Sequence, residues 1–287
     1  SMEMTKGYLR LKGVIWGLNN KEPFTNDYKR SLSFKLNTSK ENSLFLNIGG
    51  WKNTSLNVKI KGEGMDKPEE VNEQDAIDRI KELFKDGDSV YVNCRADINT
   101  YNKRIDYIVN QIYLEKEKID FNSEDFEEIN ELVMPIVIID KPKNGTANAG
   151  VVDYRGNMVE LKLSLTDEDV NGYFLENVKV GDLLKPTMQI VNKPNYVDGA
   201  EEVPVRKTLK GKMISEGSSA RRKQDGYISK IEVVDLDVDK TESRKYSREE
   251  IRQALEGQPV ASKNNQIEIK TKAESTTEVE EELPFWN

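Results

Sequence analysis

Two-residue periodicity, interrupted once in each half of the chain by a short helical pattern, is what most limits how this sequence can fold. Residues 5–18 alternate, with Tyr8, Arg10, Lys12, Val14 and Trp16 on one parity, the period of a strand with one face buried. A polar loop from Asn19 to Lys29 carries Pro23, Phe24 and Tyr28. Residues 30–38 then alternate again, Leu32, Phe34 and Leu36 against Ser31, Ser33 and Lys35, and residues 43–48 and 56–60 read as further strands. A helix follows. Asn72 is placed to cap it, Ala76, Ile77, Ile80, Leu83 and Phe84 share one face, and Gly87 ends it. Residues 89–96 and 104–115 return to strand, joined by Asp97–Lys103.

The second half repeats this order without repeating the sequence. Residues 133–140 and 149–154 read as strands, and Arg155-Gly156-Asn157 turns the chain into a strand over 158–165. Thr166-Asp167-Glu168-Asp169 caps a short helix, and Gly181-Asp182 opens a strand to Asn192 as Gly87-Asp88 does earlier. Residues 227–238 echo 107–114. The stretch 195–226 is long for a loop in a compact domain. It carries Arg206, Lys207, Lys210, Lys212, Arg221, Arg222 and Lys223, and is expected to include an extra hairpin.

Three strands, a helix and two strands is the layout of the OB-fold, a five-stranded barrel with a helix between strands three and four. The expected fold is therefore mainly β: two OB-fold-like barrels in tandem, over residues 1–117 and 118–240, with the basic insertion at 195–226 in the second. A short helix over 241–257 follows. Ser247-Arg248-Glu249-Glu250 forms a capping box, with Tyr246 set to staple against Ile251. So short a helix is marginal alone and should dock on the second domain or fray. Residues 258–287 are rich in Ser, Thr, Asn, Lys and Glu, a composition expected to stay a flexible acidic tail.

Composition removes whole classes of chemistry. The chain has no histidine and one cysteine, Cys94, so no zinc site can be built and the commonest general base is missing. Cys94 falls in an alternating strand and reads as a small core residue. No tight Asp/Glu constellation stands out, so the chain is expected to be neither an enzyme nor a holder of metal or cofactor. No apolar run is long enough to span a membrane, and no signal-peptide pattern opens the chain. The net charge of −8 is unevenly spread. Residues 1–117 carry 19 Lys/Arg against 18 Asp/Glu, residues 118–240 carry 17 against 23, so the first domain is the better place for an anionic ligand.

Binding a nucleic-acid strand without reading its sequence takes cations along the phosphates and exposed rings under the bases. On the OB layout these groups belong to strands two and three and to the loops joining strands one to two and four to five. That places Phe24, Tyr28 and Arg30 in the first loop, Lys35, Phe45, Trp51 and Lys52 on or beside strands two and three, and Tyr101, Lys103 and Arg104 in the second loop. Phe34 shares the parity of Leu32 and Leu36 and reads as core. Trp16 reads equally as packed or stacking. Tyr154, Arg155, Lys162 and Lys185 offer a weaker surface in the second domain.

The chain ends Glu281-Glu282-Leu283-Pro284-Phe285-Trp286-Asn287. Acidic residues, an apolar residue, Pro and Phe in that order resemble the C-terminal tip of bacterial and phage single-stranded DNA-binding proteins. The resemblance implies a protein of the bacterial host cytoplasm that coats single-stranded DNA during phage-type replication and recombination. Its tip, Glu281, Glu282, Leu283, Pro284, Phe285 and Trp286, would then recruit replication or repair proteins. In the bacterial family the chain stops at Phe; here Trp286 and Asn287 follow, so the terminal carboxylate is displaced. The alternative is a non-enzymatic adaptor that docks on a replication or transcription protein through its tip and does not bind DNA.

Overall fold

The computed structural model describes residues 2–198, 205–211, 213–215 and 222–257. Its first half runs β1 (Tyr8–Trp16), β2 (Phe24–Thr25), β3 (Lys29–Asn37), β4 (Ser43–Trp51), β5 (Asn57–Lys61), β6 (Glu69–Asn72), α1 (Asp75–Leu83), β7 (Ser89–Asn99) and β8 (Arg104–Leu114). Strand β1 pairs with β3 and β7, β3 with β4, and both β4 and β7 with β8. The pairing thus returns on itself through five strands. Alternation drives it: Leu9, Leu11 and Ile15 of β1, Leu32, Phe34 and Leu36 of β3 and Leu44, Leu46 and Ile48 of β4 all point inward and are buried, while the opposite parity faces outward. Helix α1 adds Ala76, Ile77 and Ile80 to the same core. Cys94 is fully buried there, and burial raises its thiol pKa.

The second half is β9 (Asn130–Val133), β10 (Ile136–Ile138), β11 (Thr146–Val152), β12 (Met158–Ser164), α2 (Glu168–Asn177), β13 (Leu183–Leu184), β14 (Pro186–Asp198), β15 (Val205–Lys207), β16 (Met213–Ser215), β17 (Arg222–Leu236) and α3 (Arg248–Glu256). Its pairings close in the same order. β10 pairs β11, β11 pairs β12, β12 runs parallel to β17, and β17 pairs β14. The strand β13, one residue ahead of β14, pairs back to β10. Asp167 caps α2 by accepting from the Val170 N–H, and Phe174 is the helix residue sent into the core.

The structure revises four details of the sequence reading. The cap of α1 is Gln74, whose side chain does not bond the helix; Asn72 instead accepts from the Gln74 N–H and turns the chain toward it. Residues 133–140 are not one strand. They divide between the end of β9 and β10, because Met134 is the buried corner where the chain leaves one ring for the other. Residues 69–72 form β6, a partner of β5 that the sequence reading left outside any strand. Over 195–226 the chain lengthens β14 and β17 into a paired arm, Asn192–Asp198 against Arg222–Ser229, with the hairpin β15–β16 beyond it.

Several joints hold the rings together, among them a hydrogen-bonded pair between Thr5 and Val152. Strand β9 pairs with β1 on one side and β14 on the other. Asn42, at the β3–β4 turn, donates to Thr38 Oγ1, Glu128 Oε2 and the Ile190 carbonyl, each at 3.0 Å, and its Oδ1 accepts from the Asn192 N–H. At the far end the Thr100 hydroxyl donates to Asp153 Oδ2 at 2.8 Å. Glu128, ahead of β9, also accepts from the Thr38 hydroxyl at 2.6 Å.

Helix α3 folds as its capping signals predict. Ser247 accepts from the Glu250 N–H, and Glu250 accepts from the Ser247 N–H. It docks on the outer side of the second ring, where Ile251 and Ala254 pack with Met2, Val137, Val152, Met158 and the stapling Tyr246. Burying a side chain the size of Ile251 stabilises by about 1.5–3 kcal/mol.

Candidate nucleic-acid interface

The outward parity of β1, β3 and β4 builds one continuous face. Cross-strand partners lie side by side, about 4.8 Å apart. Trp16 pairs with Lys35 and Lys35 with Phe45, giving a row of ring, cation and ring over three strands. Along β3 and β4 the next outward pair is Ser33 with Asn47. Then come Phe24, Ser31 and Gly49, since β2 pairs with β3 there. The face ends at Lys29 opposite Trp51. Its floor is therefore small and polar, and its margins are aromatic.

Those rings are open to solvent. Trp16 is 45% exposed, Phe24 59% and Phe45 58%, while Trp51 is half-buried. Two cations lie over them. Lys21 Nζ is 5.8 Å from the Phe45 ring centre and Lys29 Nζ 5.3 Å from that of Trp51, within the range of cation–π attraction. Gly49 has φ of 79°, and a side chain on it would strike the Arg30 carbonyl and Ile77. Glycine at this position keeps both the backbone conformation and the level floor.

Not every expected residue joins this face. Arg30 has the inward parity of β3 and leaves toward α1, where its guanidinium meets Asp78 at 3.1 Å. Tyr28 and Lys52 sit at the Trp51 end, linked by the bond from the Lys52 N–H to the Tyr28 carbonyl. Arg104 is held by Asp106 at 2.8 Å, and Lys103 is an exposed turn residue with φ of 51°.

Tyr101 stands at the joint between the rings. Arg155, from the β11–β12 turn, lies 5.6 Å from the Tyr101 ring and 5.7 Å from that of Tyr154, and donates to Thr100 Oγ1 at 3.3 Å. Tyr101 keeps 53% of its surface exposed. Burial pushes the Tyr154 hydroxyl up to about 12, against the pull of Arg155. Below this corner is an acidic group: Glu73 pairs with Arg95 at 3.1 Å, and Arg95 lies 3.7 Å from Asp97. Burial raises the Asp97 pKa; Arg95 and Lys29 pull it down while Asp106 and Asp153 push it up.

Lys21, Lys29 and the exposed position of Trp16 are what sequence reasoning missed or left open. Lys29 becomes a partner of Trp51 only once β3 and β4 are in register. The expected partner-binding residues Glu281, Glu282, Leu283, Pro284, Phe285 and Trp286 lie outside the described residues. Among the described residues no group of carboxylates and thiols is arranged to hold a metal, and no helix is long and apolar enough to cross a membrane.

A family model described as YorF matches residues 31–274. No curated protein matches the chain. Among solved structures, a deletion mutant of the single-stranded DNA binding protein from Thermus aquaticus is similar to it at 12% identity and a TM-score of 0.41, covering 90% of this chain and 98% of that one. The wild-type protein from the same organism aligns at 12% identity and a TM-score of 0.40, covering 82% and 93%. Likeness at that level defines neither a shared fold nor a shared role.

Proposed function

The chain belongs to the YorF family, and from the face on β1, β3 and β4 we propose that it binds single-stranded DNA with little sequence preference. Each closed circuit of strands is read as an OB-type barrel, the first over residues 1–117 and the second over 118–240. The observation that carries the reading is Trp16, Phe24, Phe45 and Trp51 around a floor of Ser31, Ser33, Asn47 and Gly49, with Lys21, Lys29 and Lys35 among the rings. Rings of that kind accept any base by stacking, at about 1–3 kcal/mol per base, and the lysines meet the phosphates. No nucleophile or metal set is needed, so the role is that of a binding protein, coating strands during phage-type replication or recombination in a bacterial cytoplasm.

Titration with oligo(dT), followed by tryptophan fluorescence, tests this directly. Quenching should accompany binding, and log K should fall with log salt by about 0.7 per phosphate neutralised. Absence of binding at low salt would sink the proposal.

A second reading is an adaptor that contacts proteins alone, favoured by the excess of carboxylates over 118–240. In both readings residues 281–286 are proposed to recruit a partner, a replication or repair protein for the DNA binder and a replication or transcription protein for the adaptor. Removing residues 281–287 separates them: the DNA binder keeps or gains affinity for oligo(dT), whereas the adaptor loses its partner and never bound DNA.

A further inference from the structure

A second row of side chains runs around the other side of the first ring. Lys12 of β1 pairs with Tyr91 of β7, Tyr91 with Tyr113 of β8, and Tyr113 with Lys61 of β5. Neighbours on these strands show which way the row points. Leu11, Val90, Val92, Ile112 and Ile60 are buried in the core, so Lys12, Tyr91, Tyr113 and Lys61 stand on the outer wall, each partly exposed. The same four residues line a shallow pocket with Leu114, Glu115, Lys116 and Glu117. Two phenols side by side with a lysine at each end again set rings beside cations, here over four strands.

The two rows share β1. Lys12 and Trp16 have the same outward parity on that strand, about 13 Å apart with Val14 between them. A path from Phe45 through Lys35 and Trp16, along β1 to Lys12 and on through Tyr91 and Tyr113 to Lys61, therefore stays on the outer wall throughout. It measures on the order of 35–40 Å from the strand spacings, room for several nucleotides of an extended single strand.

We infer that the Lys12–Tyr91–Tyr113–Lys61 row is a second binding site for the same single strand, engaged by strands long enough to pass around β1 from the first face. The inference rests on the reading of that face as a DNA site. Tyr91 and Tyr113 supply stacking surfaces, and Lys61 and Lys116 supply the cations. Lys12 is held by Glu115 at 3.3 Å, a pair that a phosphate would have to open, so Lys61 is the more informative lysine to remove.

The test uses the full chain and two oligo(dT) lengths, about 6 and about 24 nucleotides, within and beyond what one OB-type face spans. Combining Tyr91→Ala with Tyr113→Ala should weaken binding of the long strand about tenfold or more and leave the short strand unchanged. Lys61→Gln, a change at a partly exposed position outside the core, should reduce the salt slope for the long strand by about 0.7, again without effect on the short one. Unchanged long-strand binding in both variants overturns the inference, and so does an equal loss on both lengths. A change in sedimenting mass with intact long-strand binding overturns it too, making the row a contact between copies. If the unaltered chain binds neither length, it is the DNA reading itself that fails.

Discussion

The two rings share a strand order, yet corresponding outer walls have opposite fates. On the first ring the wall over β3 and β4, uncovered among the described residues, carries Phe45, Lys35 and, from β1, Trp16. On the second ring the wall over β10, β11 and β12 carries Val137, Val152 and Met158, and α3 with Met2 covers it. One topology thus supports a ligand face or a packing face, and the choice lies wholly in the outward parity. Where that parity offers rings among lysines and serines, solvent or a ligand must meet them. Where it offers aliphatic side chains, other segments of the same chain do.

The strongest test of this contrast is Ile251→Ala. It should lower the stability measured by urea unfolding by about 2–5 kcal/mol while leaving affinity for short oligo(dT) unaltered. Weaker binding with little loss of stability would mean that α3 serves a ligand rather than the fold. The converse change, Phe45→Ala or Trp16→Ala, should cost about 1–3 kcal/mol of DNA affinity each and shift stability by no more than about 0.5 kcal/mol. Destabilisation by several times that amount would make the open wall a packing surface after all.

The rings also differ in how acid acts on them. At Glu232, in the second ring, burial pushes the carboxyl pKa up, but hydrogen bonds from Thr166 and Ser164 outweigh it and leave it below the usual range. A carboxylate lowered on folding stabilises above its unfolded pKa, about 4.3, and that stability is lost as pH falls through the folded value. Glu232→Gln should therefore flatten the acid limb of the stability profile. Glu73, in the first ring, is pushed up by burial against the opposing pull of Arg95. Its contribution has the reverse sense, present below the unfolded pKa and lost as pH rises through the folded one, so Glu73→Gln should move stability most above that range. Thermal melts across pH distinguish the two, and parallel profiles would erase this difference between the rings. The smallest effect is expected at Arg30→Ala, about 0–1 kcal/mol in stability for an exposed pair with Asp78, with DNA affinity almost untouched. A loss at Arg30 equal to that at Phe45 would extend the binding face toward α1.

Much of this was legible in the chain. Alternation placed Phe34 and Cys94 in the core and put Lys35 and Phe45 where they could share an outer face. The capping box and staple fixed α3 before any contact was known, because those signals are local. What escaped was set by register and by distant segments. Lys29 meets Trp51 across strands, Lys21 reaches Phe45 from a loop, and Arg155 comes from the other ring to lie against Tyr101. Arg30 was misplaced for a related reason: one step of parity separates the face from the flank of α1, and its loop-end position hid which side it took. The role of β9 was hidden because its pairing with β1 and β14 joins distant segments, as do the bonds that Glu128 accepts from Thr38 and Asn42.

Strand β9 has a consequence for any attempt to take the molecule apart. Over Tyr8–Leu11, β1 is filled on one side by β7 and on the other by β9. A fragment ending near residue 117 would keep its ring and lose β9, leaving a raw strand edge of unpaired N–H and C=O groups, a template for joining a second chain. Such a fragment should self-associate as its concentration rises, and the stoichiometry it shows with DNA would describe a pair of halves rather than half of the whole.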